Sequence, residues 1–258
     1  MPKLIVANWK MNPDSPARAA ALAGEYHNFS SSKLRGTELV VAPPFPFLIP
    51  VREALPKGVK LGAQDSFWRD RGPYTGEVSW HQLKNLKVEY VIIGHSERRI
   101  HLGETDEMIN KKVRAVLENG LRAILCIGER ERSGSDIPPL AGEQLRAALA
   151  GVKKPLLRKL IIAYEPVWAI STMPGNHGPD TPDSAFRARI YIEKVLSGLY
   201  VRQSAGQVRI IYGGSVNSAN VGSFMVDGKM DGALVGSASL DHKEFEAIVR
   251  SVRSESAH

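Results

Sequence analysis

Residues 90 to 129 read YVIIGHSERRIHLGETDEMINKKVRAVLENGLRAILCIGE. The segment opens on a short apolar run, YVIIG from Tyr90, and ends on another, AILCIG from Ala123. Between them, ETDEMINKKVRAVLENG from Glu104 sets Met108, Val113, Val116 and Leu117 near one helical face, with Gly120 placed to end the helix. Runs that are apolar throughout, without polar alternation, predict parallel strands covered on both faces. The unit is therefore strand, helix, strand.

The same unit recurs on either side. LIVA from Leu4, LVVA from Leu39, VKLGA from Val59, LIIAY from Leu160, VRIIYGG from Val208 and GALVG from Gly232 bring the strand count to eight. Eight strand-and-helix units in 258 residues predict an α/β fold, a (β/α)8 barrel forming a single domain over 1–258, with a doubly wound sheet as the structural alternative. No shift in composition or linker divides the chain.

Composition narrows the function. With 43% hydrophobic and 24% charged residues the chain matches an ordinary globular protein. No apolar run approaches the roughly 18 residues of a membrane span, and KLIVANWK at the amino end lacks a signal-peptide pattern, so a cytoplasmic location and no membrane partner are expected. Cys126 is the single cysteine and reads as a small buried apolar residue. The net charge of +7 is scattered, and its densest stretch, KKPLLRK from Lys153, carries no interleaved aromatics, which argues against nucleic acid. Modest positive potential does favour a small anionic substrate.

In a barrel, chemistry belongs at the carboxyl ends of the strands. Those ends here carry Asn8 and Lys10, Gln64, His95, Glu129, Glu165, Gly213 to Ser215, and Gly236 with Ser237. Asn8 and Lys10 share one side of their strand while Trp9 takes the other. His95 sits where a helix begins, a position that disfavours the imidazolium and leaves a neutral ring able to donate to a carbonyl oxygen. Glu97 is a candidate partner for Lys10, or else a surface charge. Glu165 ends an apolar strand, where a carboxylate is costly unless used or paired, and is a candidate general base. The loop from Pro166 to Asp180 has the length of a lid, and Thr181 with Pro182 predicts the next helix start. YGGSVN and VGSAS, following the last two strands, sit where barrels present backbone N–H groups to a phosphate. No nucleotide motif or His-Glu-x-x-His helix occurs, so neither a cofactor nor a metal is expected.

ANWKMN, GAQD, GPYTGEVS, YVIIGHSERR, GETDE, CIGE, AYEPVWAI, YGGSVN and LVGSASL together resemble the triosephosphate isomerase family along nearly the whole chain. The resemblance implies a cofactor-free glycolytic isomerase on a TIM barrel, interconverting dihydroxyacetone phosphate and D-glyceraldehyde 3-phosphate through an enediolate. It implies Glu165 as the base, His95 as the electrophile, Asn8 and Lys10 as orienting and charge-stabilising groups, and Glu97 as the lysine's partner. Ser171, Ser215, Gly236 and Ser237 fall on the phosphate-gripping positions. Phe67, Trp68 and Tyr74 in the segment 64–79 read as an exposed excursion, with an aromatic loop folded on its own barrel as the alternative. The segment resembles the family's interdigitating loop of a homodimer, with Thr75 reaching toward Lys10 of the partner subunit. The chain departs from the family after PVWAI, where STMPGNHGPD makes the lid about four residues longer, and at Ser237, which replaces an expected second glycine. Two other readings stand beside the isomerase: an isomerase or lyase for another small phosphorylated sugar, and a catalytically weak homologue with a binding role.

Overall fold

In the computed structural model, residues 1–29, 34, 36–132, 137–170 and 179–254 are described. Eight parallel strands form a closed barrel in sequence order: β1 Lys3–Asn8, β2 Thr37–Ala42, β3 Lys60–Ala63, β4 Tyr90–Ile93, β5 Arg122–Ile127, β6 Leu160–Tyr164, β7 Arg209–Tyr212 and β8 Gly232–Val235. β1 pairs with β8 from Leu4 opposite Gly232 to Ala7 opposite Val235, which closes the ring and excludes the doubly wound sheet. The helices are α1 Pro16–Gly24, α2 Leu48–Ala54, α3 Trp80–Asn85, α4 Ser96–His101, α5 Asp106–Glu118, α6 Pro139–Leu149, α7 Pro182–Leu199, α8 Arg202–Ala205, α9 Val221–Val226 and α10 His242–Ser254. None of the described helices is long and apolar enough to cross a membrane.

Each strand sorts its side chains by a period of two. Leu4, Val6, Val40, Ala42, Tyr90, Ile92, Ile124, Cys126, Ile161, Ala163, Ile211 and Leu234 fill the inside of the barrel as one buried cluster. Their alternates, such as Ile5, Leu39, Val91, Leu125, Ile162 and Ile210, pack outward under the helices. Continuing each inward row upward reaches Asn8, Gln64, Glu165, Gly213 and Gly236 at the carboxyl-terminal mouth. Continuing it downward reaches Glu38, Arg122 and Arg209 at the other mouth. Both mouths are polar because the rows outrun the apolar plug.

Local caps follow the sequence. The Thr181 hydroxyl accepts from the Ser184 amide and Pro182 occupies the first turn of α7, as expected. Gly120 follows α5 at φ +92, a left-handed turn that ends a helix. The buried face of α5 differs from expectation in one residue: Ile109, not Met108, joins Val113, Val116 and Leu117, because the stripe repeats at spacings of three and four from Ile109. Lys112 is also buried there, held by Asp65 at 2.7 Å and by Glu104.

The segment 64–79 corrects another expectation. Phe67 is buried, not exposed: it stacks on Trp68 at 4.0 Å and packs on Tyr74 at 4.6 Å, and its amide donates to the Val78 carbonyl at 2.8 Å. The aromatic trio folds partly on itself, so that only Tyr74 of the three is exposed, while the tip around Thr75 projects outward. The base of the loop is fixed by Asp65, which also pairs with Arg98 at 2.8 Å.

Candidate active site

Glu165 follows the last residue of β6 and is 2% exposed. Its Oε2 accepts the Ser96 amide N–H at 2.9 Å, at the first turn of α4. Its Oε1 lies 3.2 Å from His95 Nε2 and accepts no well-formed hydrogen bond among the described residues. Gly213 faces it closely: a Cβ there would stand 2.9 Å from Glu165 Cγ, so glycine is what leaves the carboxylate arm room. Beneath it lies Cys126, a buried thiol pushed well above its usual range by burial and then by the Glu165 charge.

His95 reaches this carboxylate through a break in the strand period. Val91 and Ile93 face outward, and strict alternation would send His95 outward as well. Gly94 has φ +72, a left-handed conformation that turns the chain so that the imidazole points into the mouth. His95 then caps α4, and its Nδ1 accepts the Glu97 amide N–H at 3.3 Å. A ring nitrogen that accepts carries no proton, so the ring proton sits on Nε2, beside Glu165.

Lys10 comes from the opposite side. It has φ +53, uncommon for a residue with a side chain, and contacts among the described residues hold it. Its amide donates to Asn8 Oδ1 at 3.1 Å, its carbonyl accepts Gln64 Nε2 at 2.8 Å, and its Nζ meets Glu97 Oε1 at 2.6 Å. Glu97 is thus a pair for Lys10 and not a loose surface charge. Gln64 spans two strand ends, since the same Nε2 donates to the Ala42 carbonyl at 2.8 Å.

Asn8, Lys10, His95, Ser215, Gly236 and Ser237 line one cavity of about 430 Å³. Ser215 Oγ donates to the Ala169 carbonyl at 2.9 Å, tying the strand-seven turn to the start of the 166–180 loop. Glu165 does not line this cavity; it lines a neighbouring one of about 370 Å³ between α4 and α6. Ser171 lies outside the described residues. Thr75 stands apart on the exposed tip of 64–79. Among the described residues no group of three or more His, Cys, Asp or Glu is arranged to hold a metal ion.

A family model described as triosephosphate isomerase matches residues 3–252. The chain belongs to the triosephosphate isomerase family. Proteins named triosephosphate isomerase that it resembles include one from Dictyoglomus thermophilum, 42% identical over 252 residues, covering 96% of this chain and 99% of that protein. Another from Carboxydothermus hydrogenoformans is 43% identical over 95% of this chain and 97% of its own length. The Aquifex aeolicus protein is 42% identical over 97% and 100%.

Several parts of this triosephosphate isomerase-like site escape a reading by motif. The Ser96 amide that holds Glu165 is backbone, invisible to residue chemistry. Gly213 matters through the space it leaves, and Glu244 joins the wall that Ser215, Gly236 and Ser237 line, accepting the Ser218 amide at 2.6 Å from a distant helix. The signal available for Gly213 and Cys126 is the period of two on the strands flanking β6: Cys126 is inward with Ile124 on β5, and Gly213 continues the inward row of Ile211 on β7. Glu129, read as one rim residue among several, is a hub: its Oε1 accepts Tyr164 Oη at 2.7 Å, Trp168 Nε1 at 3.1 Å and Arg132 Nη2 at 2.6 Å.

Proposed function

We propose that this chain is a cofactor-free triosephosphate isomerase that uses Glu165 as base and His95 as electrophile. The observation that carries the reading is the buried Glu165 carboxylate 3.2 Å from a His95 Nε2 that bears the ring proton. A carboxylate with an oxygen not committed to a hydrogen bond can remove the proton from the carbon beside the carbonyl of dihydroxyacetone phosphate. The Nε2–H of His95 polarises the carbonyl, and the negative charge that develops on the enediolate oxygens meets that donor and the Lys10 ammonium. His95 Nε2 then gives its proton to the former carbonyl oxygen and takes the hydroxyl proton from the neighbouring oxygen. Glu165 returns the carbon proton to the neighbouring carbon, which gives D-glyceraldehyde 3-phosphate with atoms and charge balanced and no external oxidant or reductant.

Glu165 must turn from the Ser96 amide toward the cavity that Lys10 and His95 line, and the gap left by Gly213 permits that rotation. Glu97 holds Lys10 at the mouth, and Asn8 fixes its backbone. Ser215, Gly236 and Ser237, on the far wall, take the phosphate, joined by Ser171 from the 166–180 loop. Closing that loop keeps water from an enediolate that would otherwise expel phosphate. The family's reaction belongs to glycolysis; the proposal sets the chain in the cytoplasm and gives the exposed 64–79 tip with Thr75 to a homodimer. All of the relatives above carry the isomerase's name, so neither another phosphorylated sugar nor a weak binding homologue is favoured.

Incubating the enzyme with dihydroxyacetone phosphate in heavy water tests the reading. Product formation with deuterium entering at the transferred position is expected. Absence of both, in a folded protein, would remove the assignment.

A further inference from the structure

His95 owes its aim to a turn at Gly94, and one side chain holds that turn. Arg99, on α4, directs its Nε–H at the Gly94 carbonyl at 2.8 Å. Its Nη1 meets Asp106 Oδ1 at 2.6 Å in the first turn of α5, and its Nη2 points to the Cys126 carbonyl at 3.5 Å on β5. The Arg99 side chain is 13% exposed. One planar guanidinium thus joins the end of β4, the end of β5 and two helices.

We propose that Arg99 is a positioning residue for the isomerase reaction: by gripping the left-handed peptide at Gly94 it fixes where His95 Nε2 stands relative to Glu165. The reasoning follows from geometry. The left-handed turn takes the Gly94 carbonyl, just past β4, out of line with the ladder, and a buried carbonyl needs a donor. Arg99 Nε supplies it from one turn inside the helix that His95 caps. The Arg99 amide also donates to the His95 carbonyl at 3.2 Å, so helix start, turn and imidazole form one rigid piece. A Cβ on Gly94 would meet Ile109 at 3.0 Å and Arg99 Nη2 at 3.3 Å, so the guanidinium packs directly on the turn it holds. The Cys126 contact ties that piece to the strand beside β6, the strand that carries Glu165. Lysine cannot replace this fork, since an ammonium offers neither the plane nor the spread of donors.

The proposal rests on the reading of His95 as the electrophile, and the test separates the two. Arg99→Gln, Arg99→Lys and Arg99→Ala are compared with Arg189→Gln, which breaks the ion pair to Asp231 at the other end of the barrel. Steady-state kinetics, melting temperature and the ring-nitrogen NMR shifts of His95 are recorded for each. Arg99→Gln and Arg99→Lys are expected to lower kcat between tenfold and a hundredfold, with KM within about threefold, because an imidazole displaced by about an ångström loses that much. The His95 signals should move from a single Nε2–H form to a mixture. Arg189→Gln should leave kcat within twofold even where its melting temperature falls as far. The cavity of about 370 Å³ that Arg99 lines also includes the exposed Arg130, so it opens to solvent. Ethylguanidinium added to Arg99→Ala should therefore recover at least threefold in kcat.

Wild-type kcat within twofold in the folded Arg99 variants, with unchanged His95 signals, overturns the proposal. So does an equal kcat loss in Arg189→Gln. Should Arg99→Gln fail to fold, Arg99→Lys and the rescue series decide on the same criteria. A wild-type protein without isomerase activity, whose His95 signals still shift in the variants, would sink the functional reading and leave the positioning role standing.

Discussion

At the amino-terminal mouth of the barrel, Glu38, Tyr90 and Arg209 stand on the inward rows of β2, β4 and β7; at the carboxyl-terminal mouth the inward rows of β1, β3 and β6 end in Asn8, Gln64 and Glu165. The lower cluster closes on itself. Tyr90 donates to Glu38, Arg209 Nη1 bonds Glu38 Oε2 at 2.8 Å, and the Arg122 guanidinium lies 5.3 Å from the Tyr90 ring. The Tyr90 hydroxyl is pushed up to about 12, first by burial and then by Glu38. The upper cluster is left open: Glu165 Oε1 and Ser96 Oγ, both buried, find no hydrogen-bond partner among the described residues. Buried polar atoms in folded proteins are nearly always satisfied, so a site that leaves them bare gives up stability to keep a group available.

The sharpest way to break this contrast is Glu165→Gln. Kcat should fall by about a thousandfold or more, since general-base catalysis contributes on that order. The melting temperature should stay level or rise, because a carboxylate with an unbonded oxygen is no longer buried. Loss of stability comparable to the loss of rate would erase the distinction between the two mouths. Gly213→Ala comes next. The added Cβ, 2.9 Å from Glu165 Cγ and 3.3 Å from the Tyr164 carbonyl, should push the arm aside and lower kcat roughly tenfold or more with little change in KM. Full activity in that variant would show that the arm does not pass the glycine.

How much of this was legible in the residues divides along the same line. The barrel is plain because apolar strands recur eight times, and the rim residues stand out against them. Asn8 on one face with Trp9 on the other follows from alternation, and Trp9 is fully buried, its Nε1 donating to Tyr26, while Lys10 at φ +53 lies past the strand and is aimed by its own turn. Alternation also predicts the wrong direction for His95, and only the glycine before it hints at the turn that corrects this. Phe67 was misplaced because an aromatic loop can cover itself, a choice made by packing and not by pattern. Contacts made by backbone, such as Ser96 to Glu165, leave no mark on residue type.

Arg209→Ala attacks the lower mouth. Glu38 and the Tyr90 hydroxyl would lose the cation that bonds them and keep only the nearby Arg122 charge, at a cost of about 2 kcal/mol, reduced from the fully buried case because that charge remains and the Glu38 side chain is 21% exposed. Melting should drop by roughly 4–8 °C in a chain of this size. Kcat at 25 °C should remain within twofold, since the inward rows between the two mouths are apolar and carry no charge to the site. A tenfold loss of kcat would mean that the mouths are coupled.

The smallest effect tests the sign of the lower cluster's electrostatics. Burial pushes the Glu38 carboxyl up, but the hydrogen bonds from Tyr90 and Arg209 and the charge of Arg209 outweigh it, and its pKa lies below the ordinary 4.5. The folded state therefore releases the Glu38 proton more readily than the unfolded state does, so this group stabilises the fold above pH 4.5 and the stabilisation is lost as pH falls through the lower, folded value. Asp65 runs the other way. Its burial outweighs the attraction of Lys112 and Arg98, its pKa is raised above 3.8, and its contribution declines as pH climbs from 3.8 through the raised value. Urea unfolding between pH 3 and 7 separates the two. Glu38→Gln should flatten the acid-side loss of stability and Asp65→Asn should steepen it. Adding Glu38→Gln to Arg209→Ala should flatten it less than Glu38→Gln does alone, because without the Arg209 guanidinium only the Tyr90 hydrogen bond and the Arg122 charge oppose the burial of Glu38. Parallel curves for the Glu38 variants would mean that the amino-terminal mouth is as little satisfied as the carboxyl-terminal one.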